Sequence, residues 1–290
     1  MYYLMLLTLI ANVLILIAFK LFPKFNVNNV NAIIINYFVA VITGSIVLGK
    51  IPFDKSAFSQ EWFPYAVFLG FVFIAVFNIV ALTIQKTGVV IGTLFQKMSL
   101  LFPVVAAMFF YGEDIFAKRI AGISLAIASI IIINFPNGNS DGISEGTEGI
   151  KKFWYLPLLT LLGSGLIELL LYHVDVKGIA PNGDISFVTF LFFTAGVSGF
   201  VIKIIMGKWK VSKNDIIAGI SLGIPNFFSI YLLLKSLSSG IEASVLFPFI
   251  NVGTILSGVL LGYFVFKEAM GRNKTIGVLL AIIAIYLIVS

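Results

Sequence analysis

Apolar residues in this chain come in long uninterrupted blocks, separated by joins where glycine, proline, asparagine and charge collect. A bilayer core of about 30 Å is crossed by about 20 apolar residues in a helix, because lipid offers backbone amides no partner outside the segment. Ten blocks meet that length, near residues 3–22, 31–49, 63–84, 88–111, 118–135, 153–173, 185–206, 215–236, 240–266 and 273–289. No stretch alternates apolar and polar residues as the strands of an outer-membrane barrel do, so the pattern predicts an all-α integral membrane protein. The joins "FPKFNVNN" (22–29), "GKIPFDKS" (49–56), "KTG" (86–88) and "GIAPNGD" (178–184) carry ordinary breakers and caps, and their shortness makes consecutive helices antiparallel. One join is longer. "PNGNSDGISEGTEGIKK", residues 136–152, has the composition of a solvated linker and divides the chain into five spans at 1–135 and five at 153–290.

Composition agrees with the pattern and removes several kinds of chemistry. Of 290 residues 60% are hydrophobic and 11% charged, and the mean hydropathy is +1.08, beyond what a solvated surface tolerates. With no cysteine, disulfides, thiolate metal sites and a cysteine nucleophile are out of reach, and the single His173 builds no histidine cluster. No HExxH or facing aspartate pair is found, and G-x-S-x-G occurs only in the linker (138–146) and inside an apolar span (219–223), where no strand-to-helix elbow is predicted, so no metal, cofactor or enzymatic activity is expected. The net charge of +6 comes from lysines spread over the joins, where they meet lipid headgroups or fix orientation; nucleic acid is not an expected partner. The first block is too long for a signal-peptide core and lacks basic residues before it, so it is expected to stay as a membrane helix.

Two of the joins are alike. "YGEDIFAKRIAGISLAI" (111–127) and "FKEAMGRNKTIGVLLAI" (266–282) each place a glutamate nine residues before a glycine, and a displacement of 155 residues carries Glu113 to Glu268 and Gly122 to Gly277. Upstream, a displacement of 152 carries Gly88 to Gly240, Gly92 to Ser244, Gln96 to Pro248 and Ser99 to Asn251. The chain thus reads as an internal repeat with a three-residue insertion. Because each half holds an odd number of spans, the second half enters the membrane from the opposite side, giving two inverted-topology five-helix repeats.

An apolar helix ending in "GE", a basic turn, and "G..L" opening the last helix of a five-helix half resembles the EamA-like branch of the drug/metabolite transporter superfamily. The marks are Gly112, Glu113, Lys118, Arg119 and Gly122, then Glu268, Arg272, Lys274 and Gly277. The second elbow departs from the pattern by reading "KE", and Pro103 and Pro248 stand at unequal distances before their glutamates. The resemblance implies a multi-pass protein of the cell (inner) membrane that moves small metabolites, commonly amino acids, by alternating access. Export is the expected direction, with a cavity lined by the third, fourth, eighth and ninth spans. A lipid flippase or scramblase, or a membrane scaffold of the same fold, is the alternative.

Polar residues inside the spans mark the candidate path. A charge at bilayer depth costs roughly 2.5–3.5 kcal/mol on insertion scales, so a buried ion is a functional candidate. Lys97 lies within the fourth span, on a small and polar stripe with Gly92, Thr93, Gln96, Ser99 and Pro103; Ser244, Pro248, Asn251, Thr254 and Gly258 form the matching stripe on the ninth. Substrate-binding candidates are Lys97, Gln96, Ser99, Asn251, Asn78 on the third span, and Asn226 with Tyr231 on the eighth; Asn12 and Asn36 are weaker contributors. Glu168 on the sixth span is the candidate for proton or cation coupling. A structural ion pair, or snorkelling of Lys97 to the surface, would account for the same residues, although helix rise separates Lys97 and Glu168 in depth by roughly 8 Å. A lysine, glutamate and amide lining suits a zwitterion, and the 29 phenylalanines suit an apolar compound as well.

Glu113 and Glu268 are expected to be structural, capping or orienting the helix that follows each elbow, with Lys118 and Arg119 as neighbours. Gly122 with Ala126, Gly277 with Ala281, Gly258 with Gly262 and Gly219 with Gly223 are small-xxx-small pairs that serve helix packing or a homodimer. The joins opposite the termini carry more Lys and Arg, which leans toward both termini outside, whereas the resemblance implies both inside; either way an even number of spans puts the termini on one side. Reporter tags on the C-terminus and within 136–152 should therefore report opposite faces. Tags on the same face would break the five-plus-five count.

Overall fold

The structure, a computed structural model, describes residues 2–52, 57–87, 89–113, 116–134, 152–181, 183–207, 210–265, 267 and 270–289. Gly88, Glu268 and linker residues 136–151 lie outside the described residues. The long helices are α1 (Tyr2–Leu21), α2 (Asn29–Leu48), α3 (Phe63–Thr87), α4 (Val89–Lys97), α5 (Leu101–Phe110), α6 (Ala117–Asn134), α7 (Tyr155–Val176), α8 (Ile185–Ile205), α9 (Lys213–Ser238), α10 (Ala243–Phe264) and α11 (Arg272–Val289). With α4 and α5 forming one span, ten segments are long and apolar enough to cross a membrane, and no strand occurs among the described residues. This is the all-helical multi-pass protein that the apolar blocks predict. The fourth span is not one continuous helix: a 3-10 turn, Met98–Leu100, separates α4 from α5. Pro103 supplies the reason, since it has no N–H to donate to the carbonyl four residues back, on Ser99.

The helices pack into two compact units that do not follow chain order, one from Met1–Ile74 and Leu170–Gly240, the other from Ala75–Leu169 and Ile241–Ser290. Each draws on both five-span halves of the sequence.

In the first unit, α2 and α9 start side by side, tied by one carboxylate. Asp215 accepts from the backbone N–H of Asn28 at 2.7 Å, the side-chain amide of Asn31 at 3.0 Å and the backbone N–H of Ser212 at 3.0 Å, while Ser212 Oγ accepts from Asp215 N at 3.1 Å. That capping box satisfies N-terminal amides that lipid could not. Lower down, Gly219 and Gly223 let α2 come close: a Cβ would stand 2.5 Å from Ile35 Cγ2 and 2.6 Å from Val39 Cβ. Aromatic rings fill much of the remaining core around α3 and α8, with Trp62 against Phe187 and Phe190, Phe63 against Phe190, and Phe73 against Phe192 in edge or tilted contacts.

The second unit is pinned by α6 and α11. A Cβ on Gly122 would meet Ile288 Cγ1 at 2.8 Å, and one on Gly277 would meet Ile133 Cγ1 at 2.3 Å. The displacement of 155 that aligns the elbows carries Gly122 to Gly277 and Ile133 to Ile288, so this antiparallel contact is self-complementary: each glycine receives the isoleucine equivalent to the one its own helix donates. Ser129 Oγ donates to the Gly277 carbonyl at 2.8 Å across the same seam.

Gly277→Leu should lower stability by about 1–3 kcal/mol through overpacking against Ile133. Thermal unfolding in detergent checks this, with Ile133→Ala restoring part of the loss and Leu279→Ala, on the exposed face, changing little. An unchanged transition in Gly277→Leu would contradict the close seam.

Candidate functional site

The break in the fourth span falls at the lysine singled out by the sequence. Lys97 ends α4, and the 3-10 turn that follows holds Ser99, whose hydroxyl donates to the Gln96 carbonyl at 2.6 Å. Lys97 does not snorkel. Its Nζ donates to Asn251 Oδ1 at 3.2 Å, and Asn251 Nδ2 donates to Glu168 Oε1 at 3.2 Å and to the Phe247 carbonyl at 3.1 Å. Asn251 is 4% exposed, so this bridge is formed away from solvent.

The residues follow from helix geometry. Asn251 lies one turn beyond Phe247 on α10, just past Pro248, and its amide bonds the carbonyl four residues back while reaching across to α7. Glu168 sits on α7, where Gly165 lets Phe102 of α5 approach; a Cβ there would stand 2.3 Å from the ring. Lys97, Asn251 and Glu168 thus form a string from α4 through α10 to α7. An asparagine amide carries both a donor and an acceptor, so it can face an ammonium on one side and a carboxylate on the other. Glu168 Oε2 is buried and has no hydrogen-bond partner among the described residues, although Ser99 stands nearby.

Of the other candidates, Gln96 and Asn78 are half-buried in the same unit. Asn226 and Tyr231 belong to the other unit: Asn226 Nδ2 donates to Asn36 Oδ1 at 3.0 Å, and Tyr231 stacks on Phe227 while its hydroxyl accepts from Lys235 Nζ at 3.1 Å. The partner of Asn226 is Asn36, which is almost fully buried.

Glu113 caps a helix much further along the chain than the one following it. Gly112 turns the chain with φ of 69°, and the Glu113 carboxylate accepts from Ala243 N at 2.8 Å and Ser244 N at 3.1 Å, the first amides of α10, which starts 130 residues later. Arg119 pairs with Glu242, the residue preceding that helix. The first elbow therefore clasps the N-terminus of the helix that carries Asn251. Gly122 is a packing residue of the α6–α11 seam, as is Gly277; Glu268 lies outside the described residues. Among the described residues no three His, Asp or Glu side chains gather as metal ligands.

No protein-family model matches the chain. It is 26% identical over 286 residues to an uncharacterized protein of Haemophilus influenzae, covering 96% of this chain and 94% of that one. It is 22% identical over 240 residues to a chloroplastic WAT1-related protein of Arabidopsis thaliana, covering 79% of this chain; the match spans 55% of the plant protein. A solved crystal structure, described only as that of a protein, superposes with a TM-score of 0.75 at 13% identity over 98% of this chain and 94% of its own, a likeness of fold alone. Ten apolar spans and the distant WAT1-related similarity fit a protein of the drug/metabolite transporter kind, and a transporter in general.

If Asn251 transmits the interaction between the two charges, Lys97→Met and Glu168→Gln should each destabilise the protein, and together they should lose less than the sum. A coupling of about 1–3 kcal/mol in a double-mutant cycle is the expected result. Strict additivity would show that the string does not act as a unit.

Proposed function

We propose that this chain is a secondary active transporter of small metabolites of the amino-acid class, an EamA-like exporter that carries its substrate by alternating access and performs no chemistry on it. The observation that carries this reading is the Lys97–Asn251–Glu168 string. A buried ammonium and a buried carboxylate held apart by a neutral amide offer opposite charges to a zwitterion, and an intramembrane charge is costly to keep without a use.

Lys97 would take an anionic group of the substrate, with Gln96 and Ser99 close by in sequence on a fourth span that is already broken at that point. Glu168 would exchange a proton or a substrate ammonium, which ties movement of the substrate to a cation gradient. The 3-10 turn and the prolines of α5 and α10 are places where such a span can bend without losing further backbone bonds. The inverted five-span repeat, supported by the elbow alignment and the reciprocal α6–α11 seam, is the symmetry that alternating access uses.

Purified protein in proteoliposomes, given a panel of amino acids and an imposed pH gradient, tests the reading. Saturable flux is expected, and Lys97→Ala and Glu168→Gln should each reduce it by about tenfold or more, the equivalent of one charge-assisted hydrogen bond. Wild-type flux in both variants at normal folded yield would overturn the assignment. Lipid scrambling without solute flux would point to a flippase instead.

A further inference from the structure

Glu168 is the last member of a buried row of oxygens. On α7, Thr160, Ser164 and Glu168 follow at intervals of four, one above another on a single face. Thr160 is fully buried and Ser164 is 8% exposed. The row continues onto α3: Thr160 Oγ1 lies 2.7 Å from Thr83 Oγ1, and Thr87 Oγ1 donates to the Thr83 carbonyl at 2.8 Å. Thr83 and Thr87 are themselves buried, and Thr83 Oγ1 also lies 2.7 Å from the Ile79 carbonyl and 3.1 Å from the Leu156 carbonyl. The Thr87 end sits beside exposed Lys86, whose ammonium is over the Phe153 ring at the start of the sixth span.

Most hydroxyls within these spans bond the carbonyl one turn back, which satisfies them locally, as Thr8, Thr43, Ser198 and Thr254 do. Ser164 does not. Its Oγ is buried with no hydrogen-bond partner among the described residues, and the next oxygen of the row in that condition is Glu168 Oε2. The Ser99 hydroxyl beside Glu168 is already given to the Gln96 carbonyl, so two buried oxygens at consecutive places on one helix face are left to be met, and buried polar groups without partners are costly. Helix rise sets successive members about 6 Å apart, which is two hydrogen bonds of about 2.8 Å, the spacing that a bridging water requires.

From this geometry we infer that the face Thr160–Ser164–Glu168, continued by Thr83 and Thr87, is a proton path joining Glu168 to the membrane face at the Thr87 end. The inference rests on the proton-exchanging role of Glu168 in the function proposed above. A proton entering at that end passes from oxygen to oxygen, each hydroxyl or water forming one O–H bond as it releases another, and the final bond forms on Glu168 Oε2. Release reverses the order. The charged group facing Glu168 among the described residues is Lys97, through Asn251 from α10; α3 and α5 present Val76 and Phe102 to the same helix.

Infrared spectroscopy of the full protein in lipid reads the path directly. A carboxylic C=O band that appears with pH and is lost in Glu168→Gln is expected for Glu168, and its H/D exchange should slow by about tenfold or more in Ser164→Ala and in Thr160→Val. Thr160→Ser should restore the rate, and Ser124→Ala, an exposed hydroxyl on α6, should leave it unchanged. A Glu168 band that exchanges at the wild-type rate in folded Ser164→Ala and Thr160→Val overturns the path and leaves the proposed transporter intact. Absence of any Glu168 band overturns both the proton role and the path.

Discussion

Hydrocarbon gives a polar group no partner, and the arrangement of this protein follows from that single constraint. Backbone amides are met inside helices, and hydroxyls turn back to the preceding carbonyls of their own helix. Helix starts within a membrane protein raise the harder demand, because their first amides have no carbonyl of their own to meet. Here two carboxylates answer it from a distance. Asp215 joins the starts of α2 and α9, and Glu113 covers the start of α10. Each is therefore a tertiary link as well as a cap.

The first elbow makes sense in this light. A glycine in the left-handed region reverses the chain after α5, which delivers the next side chain, Glu113, to the end of α10; Arg119, at the start of α6, then takes Glu242 just before the same end. A negative group at a helix N-terminus also meets the positive end of the helix dipole. The position of α10, and with it Asn251, is thus fixed by residues far earlier in the chain.

Much of this was legible in the sequence. Apolar block length alone places all ten spans, because the bilayer thickness leaves few ways to satisfy so long an apolar segment. Lys97, Glu168 and Asn251 stand out because charge and amide are rare in such segments, and the displacement of 152 already set Ser99 over Asn251. Pairings across the fold were not legible. Nothing local in "GED" says that the glutamate caps a helix starting at Ala243, and nothing in "NYF" says that Asn36 receives Asn226. The break at Met98–Leu100 was within reach, since Pro103 removes one donor, and so was the row Thr160, Ser164, Glu168, whose spacing of four is plain in "TLLGSGLIE". The row does not stand out, because isolated hydroxyls in apolar helices are ordinary, and only the burial of Ser164 Oγ and Glu168 Oε2 without partners among the described residues distinguishes this face.

An amide between two charges differs in consequence from a direct ion pair. A directly paired lysine and glutamate at this depth would spend their attraction on each other, and the desolvation of both would be recovered only by keeping them together. Asn251 meets one N–H of the lysine with its oxygen and one oxygen of the glutamate with its nitrogen, so each ion is held in place by a neutral group. An ammonium has three donors and a carboxylate two oxygens, so a single hydrogen bond from each leaves most of the capacity of both ions for further partners. Holding opposite charges apart costs more than joining them, and the transporter proposed above would use that separation by offering each ion to a substrate. The same separation leaves Glu168 Oε2 out of the bridge, with Ser99 near it and Ser164 one turn back on the same helix.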